Sequence, residues 1–327
     1  MKEANRLKID VWRESIDRRM LAWIDSQEPA SLYEPMRYAV TAGGKKLRPL
    51  LLLLFGEAVG SDPETLFDAA AAIELVHDFS LVHDDIMDHD SLRRGRPTVH
   101  AQWDESIAIL AGDCLLVYAF RVLSSVPSPH AIAAVQRFAE DIIGVCEGQA
   151  YDKAFENRDS VAIKEYTNMI GLKTGRLFAL CCELGVLLGQ GTPEEQKQAR
   201  QYGLQLGFAF QVQDDLLDLV GKQEILGKDV GSDLKEGKKT FLILHALENG
   251  TPELCRQLYA FLHQKNLDER DIQQVIGLLT ETGTLQQTKK VIADALTKAR
   301  AALEVFRLTP ARGILSEVLE LVEERQA

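Results

Sequence analysis

Two aspartate runs in this chain share one spacing. His83-Asp84-Asp85-Ile86-Met87-Asp88 and Gln211-Val212-Gln213-Asp214-Asp215-Leu216-Leu217-Asp218 both read D-D-x-x-D. On a helix turning ~100° per residue, positions i, i+1 and i+4 fall at 0°, ~100° and ~40°, so three carboxylates occupy roughly a quarter to a third of the circumference. Like charges at i,i+4 repel, and the flanking Leu81-Val82 and Leu216-Leu217 belong to core-like rather than solvated faces. A hard divalent cation with oxygen ligands offsets such repulsion, and magnesium typically combines one or two carboxylates with substrate phosphates. One motif alone would read as an exposed acidic helix face. Two identical motifs, 214 − 84 = 130 residues apart, point to a phosphorylated substrate held between two carboxylate clusters by metal.

Cations accompany the clusters. Gly43-Gly44-Lys45-Lys46-Leu47-Arg48-Pro49 forms a glycine-rich helix entry, a setting that favours phosphate oxygens. Arg93-Arg94-Gly95-Arg96-Pro97 follows the first cluster, and arginine forks suit bidentate phosphate contacts; the plainer reading is a surface ion pair with Asp88 or Asp90. Lys173-Thr174-Gly175 lies inside a helix-like stretch, where a core-facing lysine needs an anionic partner. Gly221–Lys239 holds four glycines and five lysines in nineteen residues. It reads as a mobile basic loop, in which Lys228 and Lys238 are placed to close over a bound anion.

The elements that must position these residues are helices. Apolar residues recur mostly at helical spacing, with little sustained alternation of period two. The pattern predicts helices near 5–26, 31–42, 47–59, 64–89, 99–124, 130–156, 160–189, 193–220, 237–249 and 251–263, then 268–281, 284–307 and 310–325, and no strand. Val126-Pro-Ser-Pro-His130 breaks two of them. No repeat or low-complexity linker divides the chain, so one all-α domain over residues 1–327 is expected. The net charge of −12 argues against sequence-independent nucleic-acid binding. No apolar run approaches the ~20 residues of a membrane span, because Asp113 interrupts Ile107–Phe120. The charged N-terminus lacks the apolar core of a signal peptide. The five cysteines include no CxxC pair. They suit buried positions in a protein of the reducing cytoplasm.

In order along the chain, GGKKLRP, ELVHDFSLVHDDIMDHDSLRRGRPT, LAGD at Leu110–Asp113, EGQAYD at Glu147–Asp152, KTG, GFAFQVQDDLLD and GKDVGSDLKEGKKT at Gly227–Thr240 resemble the trans-isoprenyl diphosphate synthases of the polyprenyl synthetase family. The resemblance is nearest to archaeal-type short-chain members. It implies a bundle of long, mostly antiparallel helices around a deep central cavity, in a homodimer. It further implies head-to-tail condensation of isopentenyl diphosphate with an allylic diphosphate: dimethylallyl, geranyl or farnesyl. By position, Asp84, Asp85, Asp88, Asp214, Asp215 and Asp218 would serve a site of three Mg²⁺ ions, with Mn²⁺ as the alternative ion. Arg93, Lys173, Lys228 and Lys238 would hold the allylic diphosphate. Lys45, Arg48, His77 and Arg94 would hold isopentenyl diphosphate. Thr174 and Gln211 would face the allylic carbon where positive charge develops. No side-chain base is evident near the site, so the released diphosphate is expected to take the proton. His83 reads equally well as a hydrogen-bonded core residue.

Phe79, five residues before Asp84, lies about 7.5 Å toward the cavity floor at ~1.5 Å per residue, with small Ser80 beside it. That pair resembles the geranylgeranyl synthases, so a twenty-carbon product is expected, with farnesyl diphosphate as the alternative; otherwise Phe79 is ordinary core. Two other functions compete. A class I terpene cyclase would carry a different second metal motif and leave Lys45, Arg48 and Arg94 without a purpose. A non-catalytic synthase subunit could have lost its aspartates, and this chain retains both clusters.

Overall fold

A computed structural model describes residues 3–25, 27–156, 158–221, 231–262, 264 and 267–324. The chain is an all-α helical bundle, as its periodicity predicts. Its first ten helices are α1 Glu3–Ile24, α2 Ala30–Val40, α3 Leu47–Ala58, α4 Phe67–Met87, α5 Val99–Gln102, α6 Glu105–Ser124, α7 Ala131–Glu156, α8 Ile163–Ile170, α9 Arg176–Leu188 and α10 Pro193–Val220. Helices Phe241–Asn249, Pro252–Leu262, Glu269–Glu281, Thr284–Ala302 and Pro310–Glu323 follow. They pack as two compact units. One comprises the chain up to Ala139 with Leu180–Arg200 and Val305–Leu315; the other comprises Glu140–Ala179, Gln201–Glu304 and the chain from Ser316.

In the first unit, Ile9, Trp12, Ile16, Met20 and Ile24 of α1 are buried, a stripe at the three-to-four-residue spacing of an amphipathic helix. Leu50–Phe55 of α3 are buried on every side. Gly185 lets α9 approach α3 closely: a Cβ there would lie 2.2 Å from the Leu52 carbonyl oxygen. α4, which carries the first aspartate motif, packs chiefly on α6. Contrary to the expectation that Asp113 rules it out, α6 is, among the described residues, the one helix long and apolar enough by composition to cross a membrane; here it packs on α4. In the second unit, the glycines of α7 and α10 let both helices close on the segment that bears Lys173 and Thr174.

Several boundaries differ from the sequence expectation, each for a local reason. The helix expected over 99–124 breaks at Trp103, because the Asp104 carboxylate accepts the Ile107 N–H at 2.8 Å and caps α6. The helix expected over 160–189 contains a π-helical turn, Gly171–Gly175. The helix expected from residue 64 opens as a 3₁₀ turn, Pro63–Leu66, before α4. The one expected over 284–307 stops at Ala302 and tightens into a 3₁₀ turn, Leu303–Val305. Where no strand was expected, β1 Leu92–Arg93 pairs antiparallel with β2 Arg96–Pro97. Its two-residue loop has φ 52° at Arg94 and 73° at Gly95, the positive-φ pair of a type I′ hairpin turn. In the expected loop over 221–239, Ser232–Lys235 form a helical turn, and residues 222–230, Lys228 among them, lie outside the described residues.

Candidate active site

Both aspartate motifs stand at the C-terminal end of a long helix. In the first unit, α4 runs to Met87 and Asp88 is its C-cap residue. Asp84 and Asp88 are half-buried, while Asp85 is buried. Burial pushes the Asp85 carboxyl up to about 6, against the pull of Arg93. Arg93 donates to Asp85 Oδ1 at 2.5 Å and lies 3.7 Å from Asp90. The hairpin thus hangs on the motif through an ion pair.

The other cations of this unit gather around α4. Arg94, held at positive φ, donates to the Gly43 carbonyl and lies against Gly44. Gly44 has φ +139°, and a Cβ there would meet the Arg94 guanidinium at 2.8 Å, so this loop position requires glycine. Arg48 of α3 reaches His77 Nε2 at 3.3 Å. Desolvation, then the charges of Arg48, Arg94, Arg93 and Lys46, hold the His77 imidazole well below its ordinary value and therefore neutral. A neutral ring can accept from Arg48. Lys45 is exposed, and its carbonyl accepts from Arg13 at 3.1 Å. Arg93, Arg94, Asp85 and Asp78 line one small pocket.

Buried charges that were not among the expected site residues lie beneath this group. Lys46 is buried and pairs with Asp17 at 2.9 Å and Glu74 at 3.4 Å. Asp78 is buried with its Oδ2 lacking a hydrogen-bond partner among the described residues. Burial, then the Glu74 charge, raises the Asp78 carboxyl well above its usual range. The signal was present: Glu74 and Asp78 form an i,i+4 acidic pair directly after the apolar run Ala69–Ile73 of α4.

In the second unit, α10 carries the second motif in its last turns. Asp214 is half-buried; Asp215 and Asp218 are buried. Asp218 accepts from Ser232 Oγ at 2.6 Å and from the Asp233 N–H at 3.1 Å, and so holds the end of the glycine-rich segment. Asp215 accepts from the Tyr166 hydroxyl, from Gln211 Nε2 at 3.1 Å and from the Phe241 N–H at 3.4 Å. Burial raises Asp215 to about 7, while the Tyr166 and Gln211 hydrogen bonds oppose the rise. Lys173 pairs with Asp152 at 2.6 Å, Thr174 Oγ1 donates to Gln211 Oε1 at 2.9 Å, and Lys238 pairs with Glu236 at 2.8 Å. Lys173, Thr174, Gln211, Asp215, Lys238 and Tyr166 line one pocket. Tyr166 and Asp152 complete this group; Tyr166 gave no signal in the sequence, whereas Asp152 ends the EGQAYD element.

The donor set fits magnesium. It consists of carboxylate oxygens at the negative ends of two helix dipoles, both of which favour a cation. Among the described residues no three metal-ligating side chains converge into a finished cage. Magnesium ordinarily takes one or two carboxylates and fills its shell with substrate phosphate and water. Asp84 and Asp88 in the first unit, and Asp214 in the second, are the less buried members of the two motifs.

The polyprenyl synthetase model matches residues 29–279. The chain belongs to that family. A short chain isoprenyl diphosphate synthase of Methanothermobacter thermautotrophicus is 40% identical over 96% of this chain and 97% of its own length. The crystal structure of a geranylgeranyl pyrophosphate synthetase from Pyrococcus horikoshii superposes with a TM-score of 0.94 at 36% identity, covering 99% of this chain and 100% of that one. A geranylgeranyl pyrophosphate synthase from Corynebacterium glutamicum, solved in complex with isoprenyl diphosphate and magnesium, gives a TM-score of 0.87 at 27% identity over 97% and 99% of the two chains. The chain is a prenyltransferase with the helical-bundle fold of these relatives.

Proposed function

We propose that this synthetase joins isopentenyl diphosphate head-to-tail to an allylic diphosphate in a magnesium-dependent reaction, with twenty-carbon geranylgeranyl diphosphate as product. The observation that carries the reading is the pairing, in each unit, of a carboxylate motif at a helix C-terminus with the cations a diphosphate needs. Arg93 and Arg94 stand by the first motif; Lys173 and Lys238 line the pocket of the second. Magnesium bound in the Corynebacterium relative supports the ion, and three Mg²⁺ match six motif carboxylates in charge. When bound, magnesium neutralises the diphosphate that leaves as the allylic C–O bond ionises.

The chain's own residues do the rest. Arg93, Lys173 and Lys238 hold the allylic diphosphate; Lys228, which lies outside the described residues, belongs to the same set by its motif. Asp85, Asp152 and Glu236 keep the other three cations oriented toward it. Lys45, Arg48, Arg94 and neutral His77 hold isopentenyl diphosphate. Thr174 and Gln211 present oxygens where positive charge develops, and such preorganised dipoles act most strongly in the transition state. The proton lost on coupling goes to the released diphosphate. Phe79 bounds the growing chain: it is half-buried, with its ring edge-on to His83 at 4.8 Å between centroids, and Ser80 beside it is tied back to the His77 carbonyl at 2.8 Å. The enzyme acts as a homodimer in the cytoplasm. Ile109, Leu110 and Val117 leave an exposed apolar stripe on α6, which a second copy covers.

The test is direct. The full chain with Mg²⁺ and isopentenyl diphosphate is given dimethylallyl, geranyl or farnesyl diphosphate in turn, with a chelator control. A chelator-sensitive twenty-carbon diphosphate is expected. Turnover that survives chelation, or survives Asp84→Ala combined with Asp214→Ala, would overturn the metal mechanism. Hydrocarbon released from geranylgeranyl diphosphate alone would favour a cyclase.

A further inference from the structure

Asp215 is 3% exposed and both its oxygens are engaged by protein donors: Tyr166 Oη and the Phe241 N–H on Oδ2, and Gln211 Nε2 on Oδ1. Gln211 Oε1 then accepts from Thr174 Oγ1. The chain of bonds starts on α8, crosses to the end of α10 and returns to the π turn that follows α8 directly. Tyr166, 4% exposed, is its buried terminus.

We propose that Tyr166 is a positioning residue for the allylic site. Its hydroxyl fixes the rotation of the Asp215 carboxylate. Asp215 takes the Gln211 N–H, and this decides which end of the Gln211 amide faces Thr174. An amide held this way presents its carbonyl oxygen to the developing cation. Released, it can turn its N–H₂ end there, placing a positive dipole against positive charge. Asp215 accepts at both oxygens, whereas an amide in its place would turn an N–H₂ toward Tyr166 or Gln211. Asp215 on this account acts through Gln211, and the magnesium-facing carboxylate of α10 is Asp214.

This inference rests on the condensation reading, and the test separates the two. Wild-type turnover, measured first, bears on the reading itself. Tyr166→Phe and Asp215→Asn are then compared with wild type for kcat, for KM of each substrate, for the Mg²⁺ concentration giving half-maximal rate, and for thermal midpoint. The expected result is a fall in kcat of about tenfold or more in each variant, with KM and magnesium half-saturation within about twofold. Tyr166→Phe should add nothing to Gln211→Leu in the double variant, since groups acting as one unit are non-additive. If Tyr166→Phe misfolds, Asp215→Asn alone carries the same expectation. A Tyr166→Phe enzyme with wild-type kcat, full additivity with Gln211→Leu, or a roughly tenfold rise in magnesium half-saturation for Asp215→Asn would each overturn the proposal.

Discussion

Gly148→Ala tests whether the π turn must sit where it does. A Cβ on Gly148 of α7 would lie 2.3 Å from the Lys173 backbone N, 2.7 Å from its Cα and 2.9 Å from the Leu172 carbonyl carbon. All three are backbone atoms, so no side chain can rotate out of the way. Ordinary contact begins at 3.4 Å, and the turn must therefore retreat by 3.4 − 2.3 = 1.1 Å. On the far side, a Cβ on Gly207 would be 2.8 Å from the Gly175 Cα, so the turn is confined by α10 as well. A retreat of that size is enough to take the 2.9 Å Thr174–Gln211 bond past hydrogen-bond range, and it moves the Lys173 ammonium by a similar distance. Overpacking costs about 1–3 kcal/mol of stability. A misplacement of ~1 Å at reacting groups costs on the order of 10²-fold in rate. The assay is kcat at saturating substrates alongside a thermal melt, with Gly144→Ala as control. Gly144 lies one turn earlier on α7, and the atoms nearest its Cβ would be those of the flexible Arg176 side chain, from 3.2 Å. If Gly148→Ala keeps kcat within about threefold of wild type, or loses no more than Gly144→Ala, the turn does not need its position and the reasoning fails.

Phe79→Ala should lengthen the product beyond twenty carbons; chromatographic chain length identical to wild type would remove Phe79 as the floor. In metal-free protein, Asp215 keeps its proton up to about pH 7 when folded, against the ordinary carboxyl value of 3.8, chiefly through burial. A raised carboxyl contributes stability that is complete below the unfolded value and lost as pH rises through the folded one. Wild type should therefore lose stability relative to Asp215→Asn between about pH 4 and pH 7, read from denaturant melts with chelator present; a difference that stays flat across that window contradicts the burial argument. Leu110→Glu with Val117→Glu, both on the exposed stripe of α6, should halve the mass seen by light scattering, and an unchanged mass would place the dimer contact elsewhere.

The long helices were legible because their apolar spacing continues over many turns: α4 and α10 end within a few residues of where periodicity places them. The failures have local or remote causes that periodicity does not register. Asp104 breaks a helix through one carboxylate-to-backbone bond. Arg94 takes the positive φ of a hairpin turn without being glycine. The π turn at Gly171–Gly175 depends on Gly148 and Gly207, residues distant along the chain that read as ordinary helix positions.

The site shows the same division more sharply. Residue type and spacing identify the two motifs but treat the three aspartates of each as equivalent. A helical wheel already separates them: the first and last lie within ~40° of each other, and the middle one is ~100° from the first. That angle turns Asp85 and Asp215 toward the core, and each is 3% exposed. What the wheel cannot supply is the partner each finds there. Asp85 meets Arg93, eight residues on in the first strand of the hairpin; Asp215 meets Tyr166, forty-nine residues back on α8. Asp218 marks the limit of the argument: it shares the stripe of Asp214, yet it is buried by Ser232 and the Asp233 N–H. The wheel thus sorts carboxylates by helix face, while the neighbouring segment decides whether a carboxylate on the open face stays open. For Asp218 that segment is the end of the glycine-rich run, so any movement of residues 231–233 would change the exposure of a motif aspartate.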